Sequence, residues 1–352
     1  MRSVLFDDAG RGHAPTEPDV LGDAQSAAAP QTIDDALRLA VDLGHRAPHA
    51  GSGPGSTREL WQTLATLGAD DLETCRVVEP HLDAVGILAD AGWSLDRAES
   101  EVGATWGVFA AEGGGDRLRA ERTASGWTLT GTKPWCSLAG TLDAALITAW
   151  IDDDTRGLFA VRLTDATVAV AESVWVARGL VGIPSGPVTF TGTAAQPIGE
   201  PGWYLSRPGF HWGGIGVAAC WYGGAVGIAR SVVDALAAKD AAPLRDMHVG
   251  AIDETLTASR LALLDAARRV DDGLADGDDG RLLARRVRGI VARTVEEVLT
   301  RSGHALGPAP LALDATHAQR VADLQLYVRQ HHAEVDQASL GRQILTGDGA
   351  PW

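Results

Sequence analysis

Cysteine is scarce in this sequence. Its 352 residues include only Cys75, Cys136 and Cys220, which lie far apart and form no CxxC pair. This spacing offers neither a disulfide framework nor a cysteine-based zinc site, and it fits a reducing compartment. We therefore expect a cytoplasmic protein.

Clustered positive charge and long apolar runs are also missing. The formal net charge is −16, with 30 Lys and Arg against 46 Asp and Glu. Nucleic acids and anionic membranes are bound through Lys/Arg stripes, so we expect neither as a partner. No stretch approaches the ~20 apolar residues that span a bilayer. The first thirty residues, rich in Asp, Gly, Ala and Pro, have no apolar segment typical of a secretory signal.

The common catalytic and metal-binding signatures are absent: GxSxG, HExxH and P-loop patterns do not occur. His331 and His332 are adjacent on a predicted helix, and neighbouring helical side chains point about 100° apart. They cannot share one metal ion, so we predict no metal site. The segment 214–219 matches the letters of a dinucleotide fingerprint, but no strand precedes it. Its small residues predict close helix packing instead.

Hydrophobic residues make up 45% of the chain, and their spacing in the first hundred residues is helical. We predict helices from Thr32 to Leu43, from Thr57 to Gly68 and from Leu72 to Gly92. Residues 1–30 are expected to be loosely ordered.

The pattern then changes to short segments rich in β-branched and aromatic residues, separated by turns. The predicted strands are Trp127–Thr132, Leu142–Ile151, Gly157–Leu163, Thr167–Ala171 and Pro187–Gly192. No helical pattern separates them, so they indicate an all-β domain and not a doubly wound sheet.

Helical spacing returns after Pro208. Four long helices are predicted, at Gly213–Ala238, Met247–Gly273, Gly280–Leu306 and Ala315–Leu345. Such a set is typical of a four-helix bundle. The fold class is therefore mainly α with a central β-domain. The predicted divisions are a loose terminus (1–30), an N-terminal helical domain (31–101), a small β-barrel or sandwich (102–203) and a C-terminal four-helix bundle (204–352).

Several segments resemble the acyl-CoA dehydrogenase superfamily. The segment 131–139 (GTKPWCSLA) is similar to the family's GxKxWIT/S segment, in which a Trp and a hydroxyl residue contact the flavin ring. The resemblance places these roles on Trp135 and Ser137. The segment 108–116 (VFAAEGGGD) is similar to the family's TEPxAGSD loop, where Ala110 or Ala111 stands in the place of the flavin-binding Thr. The segment 180–190 (LVGIPSGPVTF) resembles the strand that closes the family's β-domain.

The segment 304–308 (HALGP) resembles the family's QxxGG turn, which holds the FAD pyrophosphate, typically from a neighbouring subunit. The resemblance therefore implies His304 and Gly307 as cofactor contacts, FAD in preference to FMN, and a homodimer or homotetramer. Pro308 has no backbone N–H to donate, so that phosphate contact is weakened.

The chain departs from the family at the proton-abstracting Glu. Counting from Asp323, the usual place holds His331, and the alternative place is near Gly214. A His at the first place resembles the flavin-dependent monooxygenase branch of the superfamily. His331 is therefore our candidate acid/base residue, with Asp336 behind it. A lone His is more often structural or exposed, so its role depends on the resemblance.

Three functions follow. The first is FAD-dependent oxidation of a small-molecule substrate, an acyl thioester such as a CoA thioester or a related small carbonyl compound. The second is flavin-dependent monooxygenation that uses His331. The third is a non-catalytic binding or assembly protein that keeps the fold.

Overall fold

We describe residues 1–6, 30–113, 115, 117–171, 174–237 and 240–347 in a computed structural model of the protein. Within the described residues, four helices precede the first strand. They are α1 (Ile33–Arg46), α2 (Ser56–Asp70), α3 (Leu72–Asp90) and α4 (Leu95–Glu101). Side-chain caps explain where two of them begin: Thr32 caps α1 in a capping box with Asp35, and Asp71 caps α3. The three helices predicted in this region are confirmed, and α4 is additional.

The N-terminal residues 1–6 correct one expectation. Val4 and Phe6 are buried, and their backbone N–H groups donate to the side chains of Thr66 and Gln62 on α2. Arg260 donates to the Phe6 carbonyl oxygen. The first residues of the predicted loose segment are thus held by burial and hydrogen bonds. Residues 7–29 lie outside the described part of the chain.

Seven strands form the central domain. They are β1 (Trp106–Phe109), β2 (Arg119–Thr123), β3 (Gly126–Ser137), β4 (Ala144–Trp150), β5 (Arg156–Arg162), β6 (Val168–Val170) and β7 (Ser185–Ile198). The sheet runs β1-β4-β2-β3-β7-β5, and an additional β4–β5 pairing closes it on itself. This is the small barrel that the turn spacing predicted, with the short β1 and β2 added. Strand β1 lies parallel to β4, and β6 pairs with β7.

The C-terminal part is helical again. Its elements are α5 (Trp203–Ser206), α6 (Gly209–Leu236), α7 (Pro243–Asp271), α8 (Gly277–Leu306), α9 (Ala309–Leu313), α10 (Ala315–Tyr327), a 3₁₀ turn (Val328–Gln330) and α11 (Glu334–Thr346). The prediction of one long helix from Ala315 to Leu345 is wrong, because the α-helix ends at Tyr327 and the next α-helix begins only at Glu334. Ala333 has φ 43°, outside the helical region, and a new helix begins after it.

Helix α6 is the core helix of the molecule. It is long and apolar enough to cross a membrane, but 78% of its most apolar stretch is buried inside the protein. A Cβ on Gly223 would lie 2.2 Å from the Ala65 carbonyl oxygen, so only glycine permits this approach of α6 to α2. The segment 214–219 lies inside α6 with no strand before it, as its interpretation as a packing motif requires.

Candidate functional site

The end of β3 carries an exposed indole. Between Lys133 and Cys136 the pairing with β7 shifts register, so β3 has a bulge there. Trp135 lies in this bulge with φ 59°, and 61% of its surface is exposed. A bulge bends the strand and re-aims a side chain, and a large exposed aromatic ring on a strained backbone indicates a contact surface. Trp135 is therefore available to a flat ligand.

An ion pair between the buried Lys133 and the exposed Glu112 joins the two loop segments that the sequence singled out. Lys133, 2% exposed, donates to Glu112 over 2.6 Å and to Thr148 over 2.8 Å. Burial lowers the pKa of Lys133, and the hydrogen bond that Lys133 donates to Glu112 opposes that shift. Glu112 directly follows Ala110 and Ala111, so the pair holds these two residues beside β3, near Trp135. Ala111 is exposed and Ala110 is half-buried.

Ser137 connects the β-domain to the helices. Its hydroxyl lies 2.8 Å from the Ser185 hydroxyl and accepts a hydrogen bond of 3.2 Å from Arg76 on α3. Arg76 also forms an ion pair of 3.0 Å with Glu79 and lies 5.4 Å from the centre of the Tyr327 ring. Ser137 therefore lies at the junction of β3, β7 and α3. Arg76 in turn contacts Tyr327 of α10.

An aromatic cluster leads from that junction to His331. The Tyr327 ring meets the Trp221 ring edge-on at 6.2 Å, and Trp221 meets the His331 ring at 6.5 Å. Arg288 of α8 covers Trp221 at 4.7 Å and donates to the Gly214 carbonyl oxygen over 2.5 Å. The resemblance placed the family's carboxylate at His331 or near Gly214, and both places lie in this cluster. The side chains present there are the His331 imidazole and the Arg288 guanidinium.

His331 is fixed by backbone geometry. Its Nδ1 accepts the Ala333 N–H at 3.2 Å, which assigns the proton of a neutral ring to Nε2. The side chain is 8% exposed, and burial lowers its pKa while Asp336 opposes the shift. Asp336 was predicted to stand behind the ring. Its Oδ2 lies 3.7 Å from Nε2, and the same oxygen accepts the His332 N–H at 3.0 Å.

Three polar atoms in this cluster are buried and have no hydrogen-bond partner among the described residues. They are Trp221 Nε1, Tyr327 Oη and His331 Nε2. Buried polar groups are usually satisfied, because each unmade hydrogen bond costs about 1–3 kcal/mol. Three such atoms in one cluster indicate a site that a polar ligand or ordered water completes.

A small cavity lies between α2, α3 and α6, and none of Trp221, Tyr327 and His331 lines it. Its volume is about 50 Å³, enough for a few water molecules. Two indole rings and several carboxylates line it, with leucine and glycine between them: Trp61, Trp212, Glu79, Asp83, Asp90, Arg207, Leu64 and Gly213. The cavity is therefore aromatic and acidic, and it is smaller than a tunnel for a long acyl chain would be.

The carboxylates of this cavity were not found from the sequence. Burial raises the pKa of Glu79 to about 7, against the opposing charge of Arg76. Burial also raises the pKa of Asp83, whose nearest cation is Arg207 at 3.9 Å. Arg76, Glu79 and Asp83 lie at i, i+3 and i+7, on one helix face. The sequence spacing already shows that these three charged side chains share one face of α3. Only the tertiary structure shows that Glu79 and Asp83 line the cavity.

A loop of the β-domain is clamped between two helices near the site. The buried Asp323 carboxylate accepts the Leu180 N–H at 2.5 Å, and Glu73 accepts the Gly182 N–H at 2.7 Å. Burial raises the pKa of Asp323 to about 6. A Cβ on Gly179 would lie 2.0 Å from the Ala322 carbonyl oxygen. Asp323 therefore has a structural role: its bond to Leu180 holds α10 against this loop of the β-domain.

His304 and Gly307 lie away from the cluster. His304 is exposed near the end of α8, where its ring meets that of His248 at 5.5 Å. Gly307 ends α8 with φ 71°. Fifteen residues of α8 separate His304 from Gly289, which neighbours His331. At 1.5 Å per residue this is roughly 22 Å, so a single chain does not bring His304 and His331 together.

Among the described residues no group of His, Cys, Asp and Glu side chains could hold a metal ion. His331 and His332 are exposed to different degrees and contact Asp336 through different atoms.

No protein-family model and no curated protein matches this sequence. Solved structures do match. TdsC from Paenibacillus sp. A11-2, a dibenzothiophene monooxygenase described with FMN and indole, shares 17% identity over 89% of each chain, with TM-score 0.73. Glutaryl-CoA dehydrogenase from Mycobacterium smegmatis shares 16% identity over 95% of this chain and 94% of its own, with TM-score 0.75. A nitrososynthase from Micromonospora carbonacea var. africana shares 16% identity over 98% and 100%, with TM-score 0.72.

These similarities cover nearly the whole chain and establish its fold. The protein has the acyl-CoA dehydrogenase fold, in which a helical N-terminal part, a small barrel and a helical bundle follow one another. The resemblance seen in the sequence motifs is thereby confirmed at the level of fold.

Proposed function

We propose that this protein is a flavin-dependent oxidoreductase, and that oxygen-using monooxygenation is the reaction its site supports best. The observation that carries the proposal is the exposed Trp135 beside the Ser137–Ser185 hydroxyls, next to a cluster of unsatisfied buried polar groups. Enzymes of the same fold support it, since TdsC binds FMN.

The residues at the end of β3 fit a flavin. An indole with 61% of its surface exposed offers a platform for a flat ring. The Ser137 hydroxyl can donate to a ring heteroatom while it keeps its bond from Arg76. Backbone groups of Ala110 and Ala111 would add contacts at the edge. When bound, the flavin supplies the redox chemistry, and the protein supplies orientation and electrostatics.

His331 suits a role as hydrogen-bond donor. Because its pKa is lowered, the ring is neutral at pH 7, and its Nε2 proton has no partner. A neutral imidazole in this position donates to an oxygen atom on which negative charge develops. Where an acyl-CoA dehydrogenase would need a carboxylate to abstract a proton, this chain presents a donor. Oxygen chemistry is therefore favoured over dehydrogenation.

Dehydrogenation of an acyl thioester or a related small carbonyl compound is the second candidate. Glu79 favours it, because a buried carboxylate with a pKa of about 7 is suited to accept a proton. The small size of the cavity and its acidic lining count against a long acyl chain.

The flavin and the oligomeric state complete the proposal. If FAD is bound, its pyrophosphate would contact His304 and Gly307 of a second subunit in a homodimer or homotetramer, since these residues are distant from His331 within one chain. FMN would need no such contact. Chromatography of the released cofactor distinguishes the two flavins.

The test begins with the visible spectrum of the purified protein after it is loaded with FMN or FAD. A protein that binds neither refutes the proposal and supports a non-catalytic role. Flavin-loaded protein is then given butyryl-CoA without oxygen, or reduced flavin, oxygen and indole. Bleaching in the first case indicates dehydrogenation. Oxygen consumption coupled to an oxygenated product indicates monooxygenation.

A further inference from the structure

One carboxylate of the cavity keeps an oxygen atom free for a ligand. Glu79 is on α3, its side chain is 10% exposed, and Arg76 Nη1 donates to its Oε2 over 3.0 Å. Among the described residues nothing hydrogen-bonds Oε1, and this atom is not fully buried. Glu79 lines the cavity, so Oε1 is an acceptor atom on the cavity wall.

Its position relates it to the proposed flavin surface. Arg76 bridges Glu79 and the Ser137 hydroxyl, with contacts of 3.0 and 3.2 Å. Only two hydrogen-bonded contacts thus separate Glu79 from the residue that would meet the flavin. Glu79 lines the cavity, whereas Arg76 and Ser137 do not, and a cavity of about 50 Å³ admits only the small polar end of a substrate.

We propose that Glu79 is a proton-transfer residue of the substrate cavity, and that the substrate presents a hydroxyl or amine N–H group to it. This inference rests on the proposed function. In the transfer the substrate O–H or N–H bond breaks, its electron pair stays on oxygen or nitrogen, and the proton bonds to Oε1 of Glu79. The transfer consumes no oxidant, and return of the proton regenerates the carboxylate.

The surroundings of Glu79 suit such a transfer near neutral pH. Burial favours the protonated form, and the positive charges of Arg76 and Arg288 favour the ionised form. The other titratable groups that face it are Asp83 on α3, Tyr204 on α5, Cys220 on α6 and Tyr327 on α10. Their balance leaves the pKa at about 7, where a group exchanges protons most readily at neutral pH.

The first experiment needs neither flavin nor substrate. Infrared spectra of the apoprotein are recorded from pH 5 to 9 (a range of roughly two units around neutrality) in water and in D₂O. We expect a carboxylic C=O band that titrates near pH 7 and shifts promptly in D₂O. Asp323 and Asp83 also have raised pKa values, so the band of Glu79 is read from the difference between the wild type and Glu79→Gln. This difference should contain a C=O component that titrates near pH 7, whereas the difference between the wild type and the surface control Glu121→Gln should contain none. A wild-type minus Glu79→Gln difference without this component overturns the assignment.

The second experiment uses flavin-loaded protein with reduced flavin, oxygen and indole as the probe. We expect kcat of the wild type to follow an ionisation near pH 7. Glu79→Gln should lose this pH dependence and about 10²-fold in kcat, with KM little changed. An unaltered profile in Glu79→Gln overturns the proton-transfer role even if the infrared band is present. If the wild type binds no flavin, the proposed function fails, and the infrared titration still decides the state of Glu79.

Discussion

Glu79→Gln should change how the stability of the apoprotein depends on pH. The pKa of Glu79 is about 7 in the folded protein, against an ordinary value of 4.5. The folded state therefore binds this proton more tightly than the unfolded state does. Between these two pH values the unfolded state has lost its proton and the folded state has not, so stability falls as pH rises.

The magnitude follows from the size of the shift. One pKa unit corresponds to 1.36 kcal/mol, so the difference between 7 and 4.5 corresponds to about 3 kcal/mol. Because the side chain is only 10% exposed, solvent screening reduces this figure little. The free energy of unfolding of Glu79→Gln minus that of the wild type should thus increase by about 3 kcal/mol as the pH rises from roughly 4.5 to 8.

Denaturant unfolding of both proteins at several pH values measures the effect. Other groups titrate in the same window, among them Asp323 and His81, but they do so in both proteins and cancel in the difference. The exposed Glu121→Gln variant is the matched control and should follow the wild type. Parallel stability curves for wild type and Glu79→Gln would refute the view that burial dominates the ionisation of this carboxylate.

Four further substitutions, one of them a control, test the site and the fold. Trp135→Ala should weaken flavin binding by up to about tenfold, as expected for the loss of one aromatic stacking contact. The melting temperature should not change, because the indole is exposed. Flavin affinity is measured by fluorescence titration, and an affinity equal to that of the wild type would contradict the role of Trp135. His331→Ala should keep flavin binding and lower turnover by roughly 10²-fold, so unchanged steady-state turnover would remove it from the mechanism. Gly179→Ala should destabilise by several kcal/mol, roughly as an overpacked core does, because its Cβ would meet the Ala322 carbonyl oxygen at 2.0 Å. Gly250→Ala, in open space on α7, should stabilise by about 0.5–1 kcal/mol, and equal melting temperatures for the two alanine variants would contradict the packing argument.

The sequence determined the kind and order of the elements. Helical spacing and caps such as Thr32 and Asp71 are local properties, so α1 to α3 and the long bundle helices could be placed without tertiary information. The change of apolar period marked the barrel for the same reason. The motif around Trp135 was found through its resemblance to a family segment, whereas its bulge depends on pairing with β7 and its ion pair joins residues 21 positions apart.

Local spacing failed at the last predicted helix. Apolar residues continue at helical intervals through 328–333, but the chain leaves the helix there and Ala333 takes a positive φ. The backbone of this turn orients His331, which the sequence placed on a regular helix face. Asp336, predicted to stand behind the imidazole, lies with its Oδ2 3.7 Å from His331 Nε2.

The chemistry of the site was decided by tertiary structure. The sequence shows that Arg76 and Glu79 share a helix face, but the partner of that face comes from 61 residues away, at Ser137. Burial, which sets the pKa of Glu79, exists only once α3, α6 and α8 have packed. Local interactions thus specify which elements form, whereas desolvation and long-range contacts specify which side chains can act.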